Sequence, residues 1–377
     1  MKVLITGSDG FIAKNLALSL QQRQNIQVIS FNRESKTEDL SALIEKADFI
    51  FHLAGINRPQ DPAEFTRGNV DLSSLVCDAI KKCVNETGRH IPVVFSSSIH
   101  ASADNEYGRT KLAAENVFAT LASETGNPVF ISRLPGVFGK WAKPNYNSVV
   151  ATFCYNIAHG LPVTVNDPQY LLRLVYIDDV VKVFTDLLEQ EIKPGNKQHF
   201  IKVVPEYNVA LGEIAESITG FREGRNSLEL ERVGTGFLRA LYSTYVSYLP
   251  EQDFSYPVKQ HTDPRGSFVE LFKSKDSGQV SYFTAHPGIT RGGHYHHTKT
   301  EKFMVISGTA RFRFRHMLTD EYYETVTSGD KPVMVETIPG WAHDVTNIGD
   351  EELIAIVWAN EVFDPSHPDT IFSKLDK

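Results

Sequence analysis

The first thirteen residues narrow the fold more than any other stretch. Residues 2–6 (KVLIT) form a short apolar run that passes directly into Gly7-Ser8-Asp9-Gly10-Phe11-Ile12-Ala13, and the helical pattern KNLALSLQQR follows. A strand, a glycine turn and a helix in that order turn G-x-x-G-x-x-A into a dinucleotide site. Glycine lets the backbone approach a pyrophosphate, and the first helical turn presents N–H groups that have no partner within the helix. On this reading Gly7, Gly10, Phe11 and Ile12 line a cofactor.

The next segments extend the same plan. Ile26–Phe31 reads as a second strand that ends at Asn32-Arg33, with no acidic residue placed to take a ribose hydroxyl. The Arg33 guanidinium suits a 2′-phosphate instead, so NADPH is the expected cofactor. A third strand, Asp48–Leu53, ends in Leu53-Ala54-Gly55, where small residues let backbone lie against a ligand. After a helix around Ser73–Val84, the strand Pro92–Ser97 delivers Ser98 to its carboxyl end, the side on which open parallel sheets bind ligands.

Ser98 opens the stretch SIHASADNEYGRTK, which sets Tyr107 and Lys111 four apart on one helical face. A tyrosine beside a fixed ammonium exchanges its proton more readily than a free phenol, whose pKa is about 10. A nearby serine hydroxyl can bind an oxygen whose charge changes. Ser96, Ser97 and Ser98 are all candidates, and Ser98 is favoured by its place before Ile99-His100. With the strand Pro128–Arg133, the alternation of strands and helices implies a doubly wound parallel sheet.

Composition removes several function classes. A net charge of −8 argues against general nucleic-acid binding. Cys77, Cys83 and Cys154 show neither metal spacing nor a disulfide framework, which fits a reducing cytoplasm. No apolar run approaches membrane-spanning length.

Over residues 1–250 the sequence resembles the extended short-chain dehydrogenase/reductases. The resemblance rests on TGSDGFIA, HLAG at 52–55, SSS at 96–98, YGRTK at 107–111, RLPGVFG at 133–139 and RLVYIDDVV at 173–181. It implies a catalytic set of Ser98, Tyr107 and Lys111, with Lys111 also holding the nicotinamide ribose. The loop Lys140–Asn147 (KWAKPNYN) is polar and aromatic, so Asn145 and Asn147 are candidates for a uracil edge or diphosphate. Arg173 is a candidate phosphate clamp, or else the partner of Asp178 or Asp179.

Beyond Pro250 the pattern changes. Strand-like runs at Ser267–Lys273, Val280–Thr284, Lys302–Ser307, Ala310–Arg315, Glu321–Thr327 and Leu353–Ala359 predict a small antiparallel barrel or jelly roll. Eight of the 13 histidines fall between His261 and His367, which calls for a chemical reason. Gly288-x5-His294-x-His296-x4-Glu301-x6-Gly308 sets two histidines on one side of a strand and a carboxylate at the start of the next. His343 joins from a later strand, and His297 should point away. Three imidazoles and a carboxylate suit zinc or another borderline divalent ion, catalytic or structural.

This spacing resembles the first cupin motif, with Gly340, His343 and Asn347 matching the second. DPRGSFVEL at 263–271 is similar to the deoxysugar 3,5-epimerases of that superfamily, whose R-G-x-H carries a catalytic base; here that histidine is His294. The fusion, with 1–250 as NADPH-binding reductase and 251–377 as metal-binding cupin, resembles the CapF-type capsular polysaccharide biosynthesis enzymes. KPNYNSVVATFCYNIA, RGSF and ANEVFDP carry that likeness. It implies a cytoplasmic homodimer built through the cupin, acting on a UDP-2-acetamido-2,6-dideoxy-4-ketohexose. The cupin would epimerise C3 and the reductase would reduce the C4 ketone, giving the L-talose precursor of UDP-N-acetyl-L-fucosamine. The competing expectation is an NAD-retaining UDP-sugar 4-epimerase with a zinc-stapled cupin serving only to dimerise.

Overall fold

The computed structural model describes the chain except residues 60, 62, 259, 264, 265, 270–272, 275–277, 362–365, 376 and 377. For 260–263, 266–269, 273, 274 and 279 the backbone alone is described. By density of internal contact the chain divides into two units. One is Met1–Phe138 with Leu172–Asn208; the other is Gly139–Leu171 with Val209–Lys377.

The first unit begins β1 (Lys2–Thr6), α1 (Phe11–Gln21), β2 (Gln27–Phe31), α2 (Leu40–Lys46), β3 (Phe49–His52) and the single turn α3 (Ala63–Phe65). It continues α4 (Leu72–Thr87), β4 (Val93–Ser98), α5 (Glu106–Thr125), β5 (Val129–Leu134) and β6 (Gly136–Phe138). After an excursion into the second unit through α6 (Val149–Ala158), the chain returns with β7 (Leu171–Tyr176), α7 (Ile177–Asp186), β8 (His199–Ile201) and β9 (Glu206–Ala210). The main sheet runs β2-β1-β3-β4-β5-β8 with every pair parallel. Its order turns back on itself between β1 and β3, so a crevice opens at the carboxyl ends of those two strands. β1, β3 and β4 are buried on both faces, which is why Val3-Leu4-Ile5, Phe49-Ile50-Phe51 and Val93-Val94-Phe95 are continuous apolar runs. Helices α2, α4 and α5 supply Ile44, Ile80 and Phe118 to the core on one side of the sheet.

In the second unit α6, α8 (Leu211–Ser227) and α9 (Gly236–Val246) group with the strands, and β10 (Glu229–Leu230) lies between α8 and α9. The strands run β11 (Ser255–Pro257), β12 (Gln260–Asp263), β13 (Gly266–Val269), β14 (Lys273–Ser274), β15 (Gln279–Ala285), β16 (Thr290–Tyr295) and β17 (Glu301–Ser307). Next come β18 (Thr309–His316), β19 (Tyr322–Ser328), β20 (Val333–Glu336), β21 (Trp341–Asn347), β22 (Leu353–Ala359) and β23 (Ile371–Phe372). Two five-stranded sheets result, β11-β20-β17-β22-β15 and β19-β18-β21-β16-β23. Alternation is plain in β18, where Ala310, Phe312 and Phe314 are buried between arginines.

The expected parallel sheet and antiparallel second fold are both present. Five of the six expected barrel strands fall on β15, β17, β18, β19 and β22. The sixth, Ser267–Lys273, overlaps the β12–β13 hairpin, and its residues 270–272 lie outside the described residues. Of the motif at 263–271, residues 264, 265, 270 and 271 also lie outside them, as do 362–365 of ANEVFDP.

Candidate functional site

The crevice between β1 and β3 is shaped by close backbone approach. Gly7 has φ +67°, and a Cβ there would stand 2.7 Å from the Ala54 Cα, so only glycine fits. Ala54 is drawn in because its N–H reaches the Thr6 Oγ1 at 3.4 Å, while the Leu53 N–H reaches the Thr6 carbonyl at 3.3 Å. Helix α1 starts at Gly10 with no side-chain cap and no acidic residue in its first turn. Its free N–H groups, at Phe11 and Ile12, are therefore available to an anion without competition from a side chain. Arg33 is exposed just past the end of β2. These features fit a dinucleotide.

Ser98 ends β4, and a single 3₁₀ turn (Ile99–Ser102) carries the chain onto α5. Asn105 caps that helix by accepting the Gly108 N–H at 2.8 Å. Gly108 is the residue that lets the turn close. A Cβ there would lie 2.3 Å from the His100 carbonyl oxygen and 2.4 Å from that of Ala103. The packing brings the Tyr107 hydroxyl close enough to Ser98 for that serine to oppose the effect of burial on the phenol. Ser97 is committed elsewhere, to the buried Glu115. Glu115 is in turn gripped by Arg133, whose Nε lies 2.9 Å from Oε1 and whose terminal nitrogen lies 2.6 Å from Oε2.

Lys111 is buried. Its Nζ donates to the Ser96 carbonyl at 2.7 Å and stands 4.5 Å from the centre of the Phe95 ring. A Cβ on Gly55 would be 3.7 Å from that Nζ. Burial pulls the Lys111 ammonium down to about 8, against the opposing pull of Glu115. Burial also pushes the Tyr107 phenol up, with the Ser98 hydrogen bond opposing. The expected lowering of the phenol by Lys111 is therefore not the governing effect. Desolvation wins, and Tyr107 stays protonated at neutral pH, the state required of a proton donor.

Sequence reasoning passed over the support behind these residues. His52 bridges β1 and α4 through Thr6 Oγ1 at 2.8 Å and Ser73 Oγ at 3.0 Å. Asn69, on a π-helical turn, holds the segment after Gly55 by bonding both the N–H and the carbonyl of Ile56. Arg173 is exposed and pairs with Glu206 at 2.6 Å, not with Asp178 or Asp179. In the second unit Asn145 and Asn147 are exposed; Asn145 has φ +55° and its N–H is held by Thr152.

The second unit brings together His294, His296, Glu301 and His343, whose ligand atoms lie within 4.8 Å of one another. His294 lies in β16, His296 one residue beyond its end, Glu301 at the start of β17 and His343 in β21. Both sheets therefore contribute. The β16–β21 register sets His294 opposite His343, across a bulge between Gly292 and His294. The three rings are 4.8 to 5.1 Å apart. His297 stays outside the group and meets the Tyr295 ring edge-on.

The fit to a metal rests on unmatched atoms. Both ring nitrogens of His343 are buried without a hydrogen-bond partner, its Nε2 standing 3.6 Å from Glu301 Oε2. His296 gives its Nδ1 proton to the Asp369 carbonyl, so its Nε2 lone pair faces Glu301 Oε2 at 3.3 Å. With His296 in its neutral form these are two acceptors, and a cation, whether proton or metal, joins them. Burial would raise the Glu301 carboxyl, yet the neighbouring His296 and His343 imidazoles and the Lys299 ammonium hold it well below the usual range. Burial, then the neighbouring His343 and His296, pull His294 down to about 3, so it is a neutral donor. Three imidazoles and one carboxylate are a donor set for a divalent ion.

The comparisons agree with both units. Residues 3–201 match the NAD dependent epimerase/dehydratase family, and residues 261–371 match the polysaccharide biosynthesis C-terminal domain. The UDP-2-acetamido-2,6-beta-L-arabino-hexul-4-ose reductase of Pseudomonas aeruginosa strain PA103 is 52% identical over 370 residues, covering 98% of each chain. The crystal structure of the capsular polysaccharide assembling protein CapF from Staphylococcus aureus matches at TM-score 0.65 and 42% identity, covering 99% of this chain and 100% of that one. The UDP-glucuronic acid 4-epimerase from Bacillus cereus, solved with NAD, matches at TM-score 0.52 and 18% identity over 59% of this chain and 84% of that one, a likeness of fold alone. The chain belongs to the NAD dependent epimerase/dehydratase family and, along its whole length, to the group of two-part enzymes that contains the Pseudomonas reductase and CapF.

Proposed function

We propose that this chain is a bifunctional UDP-sugar enzyme of capsule or O-antigen synthesis. Its substrate is a UDP-2-acetamido-2,6-dideoxy-4-ketohexose and its product UDP-2-acetamido-2,6-dideoxy-L-talose. Residues 1–250 make up the reductase and 251–377 the cupin. The observation that carries the reading is a Tyr107 phenol kept protonated by burial, near Ser98 and one helical turn from the buried Lys111, within a chain 52% identical to a ketosugar reductase.

The reductase residues divide the work. Gly7, Gly10 and Ala54 admit the dinucleotide, and Arg33 meets a 2′-phosphate, so NADPH is preferred. NADPH, when bound, supplies the hydride for C4. Ser98 binds the ketone oxygen, and Tyr107 gives its proton to that oxygen as charge develops. Lys111 fixes the ribose and reprotonates the phenol. Arg173 is a candidate phosphate ligand for UDP in the first unit, and Asn145 and Asn147 of the second are, separately, candidates for polar groups of the nucleotide.

The cupin acts on the carbon next to the ketone. A C4 carbonyl acidifies the C3 hydrogen, so a base removes it and a proton returns from the other face. His294, the least buried of the four, is the base candidate where His296, Glu301 and His343 alone would hold the metal. His294, His296, Glu301 and His343 hold zinc or a similar divalent ion, which supplies Lewis-acid stabilisation of negative oxygen. A relative was crystallised with the inhibitor 3-isopropenyl-tropolone, and adjacent oxygens of the tropolone type chelate divalent metals, which supports that assignment. The reading also places the enzyme in the cytoplasm, as a homodimer through the cupin. Among the described residues no helix is long and apolar enough to cross a membrane.

The test is incubation with the UDP-4-ketosugar and NADPH, with the ring protons of the product read by NMR. Inversion at C3 with a new C4 hydrogen is expected. Tightly held NAD, no net NADPH consumption and inversion at C4 alone would instead establish the 4-epimerase.

A further inference from the structure

Five residues near the end of the described chain run along the strand that bears His294. β23 pairs with β16, setting Phe372 opposite His294 and Ile371 opposite Tyr295. The Ser373 N–H donates to the Gly293 carbonyl at 2.7 Å, and Arg315 donates to the Ser373 hydroxyl at 3.1 Å. At the head of this strap stands Asp369, 68 residues after Glu301 in sequence.

Asp369 touches the metal group in two ways. Its main-chain carbonyl accepts the Nδ1 proton of His296. Its carboxylate collects three successive amides of the turn joining His296 to Glu301: His297 N–H to Oδ1 at 2.8 Å, and Thr298 N–H and Lys299 N–H to Oδ2, both at 2.7 Å. The Thr298 hydroxyl adds a fourth donor at 3.0 Å. Three consecutive amides converging on one carboxylate fix the conformation of that turn, and with it the span between two ligands. The carbonyl fixes the tautomer, leaving Nε2 of His296 free to ligate.

We propose that Asp369 is the positioning residue of the histidine–glutamate centre, clamping the 297–299 turn with its carboxylate and the His296 tautomer with its carbonyl. The proposal rests on the metal reading of that centre. Its chemistry is that of an outer-shell partner, and removing such a partner weakens metal binding by about 10- to 100-fold. A polar tie that merely held the strap down would change the stability of the metal-free chain and leave metal affinity nearly as it was.

The experiment strips the full chain of metal and titrates zinc back against a chromophoric chelator, for the parent, Asp369→Asn and Thr298→Ala. The parent should bind one zinc per chain. Asp369→Asn should weaken that binding about 10-fold or more and shrink the zinc-induced rise in melting temperature. Thr298→Ala, which removes one donor of four and spares the fold, should weaken it by a smaller factor. NADPH affinity should stay the same in both. A parent that binds one zinc while both variants bind equally tightly overturns the proposal alone. A parent that takes up no zinc overturns the metal reading and the proposal together.

Discussion

The two sites place their chemistry by opposite means. In the first unit the reacting groups come from one short stretch, 98 to 111, and the cradle for the cofactor comes from the ends of two adjacent parallel strands. In the second unit four ligands spread from 294 to 343 meet only because two sheets face each other. A site cut from a single strand–turn–helix takes its geometry from helical periodicity, whereas a site shared between sheets depends on the whole barrel having formed. Their electrostatics are mirror images. The first buries a cation, Lys111, whose charge is only partly answered by Glu115, so its ammonium falls to about 8. The second buries a carboxylate, Glu301, which the neighbouring His296 and His343 imidazoles and the Lys299 ammonium hold well below the usual range. The first should therefore respond to pH and the second to metal.

The largest expected effect separates the two chemistries. Tyr107→Phe removes the proton donor and should cut ketone reduction by about 10²- to 10⁴-fold, the usual worth of a general acid. Deuterium uptake at C3 from heavy water should persist in that variant. His343→Ala should do the reverse, abolishing uptake while NADPH oxidation of an already epimerised ketosugar continues. Loss of both activities in either variant would mean that the sites are not separable.

A second effect, on stability, belongs to the barrel side alone. Glu336 is buried among Arg225, Lys302 and Tyr242, tying helices α8 and α9 to strands β17 and β20. Burial, with Arg225 adding to it, pulls the Lys302 ammonium well below its ordinary range. Glu336→Gln leaves the Arg225 guanidinium without its buried counter-charge and takes the carboxylate from Lys302, and breaking a buried pair in this way costs about 3–5 kcal/mol. The chain's three tryptophans, at 141, 341 and 358, all lie in the second unit, so urea unfolding followed by their fluorescence reads that unit. The midpoint should fall while NADPH affinity holds. An unchanged midpoint would show the cluster to be energetically idle.

The contrast also explains what could be read in the sequence. The parallel sheet was legible because doubly buried strands are unbroken apolar runs, and Tyr107 with Lys111 because four residues make about one helical turn. The histidine group was legible as spacing between His294, His296 and Glu301; that His343 faces His294 is a matter of register between β16 and β21. Gly108 looked like an ordinary helix residue, and only the turn lying on it reveals why it is glycine. Asp369 carried no signal, since its partners lie some 70 residues upstream and are mostly backbone amides. Arg173 is a candidate phosphate clamp in the sequence, with Asp178 or Asp179 as its alternative partners; that it meets Glu206 instead depends on the β7–β9 pairing, which no local pattern announces.

The smallest effect tests the pH side of the comparison. Lys111 titrates at about 8 in the folded chain against 10.5 when free, so between these values the unfolded chain binds more protons than the folded one. Stability must then rise with pH across that window, because the cost of burying the ammonium is fully present below pH about 8 and relieved above it. At about 1.4 kcal/mol per pH unit the rise totals about 3 kcal/mol by pH 10.5. The phenol of Tyr107, shifted upward, works in the opposite sense only above its free value of about 10. The buried Lys302 ammonium, however, adds a rise of the same sign, and the buried Cys77 and Cys154 thiols, raised by desolvation, a fall, so it is the difference from a Lys111 variant that isolates this lysine. Urea unfolding of the cofactor-free protein, followed by helical circular dichroism, should show stability rising more steeply from pH 8 to 10 in the parent than in Lys111→Met. That variant keeps the packing of a long apolar stem but has nothing to titrate. Equal slopes in the two would mean that Lys111 keeps its charge in the fold at little cost, and the two sites would then not differ in the way their burial implies.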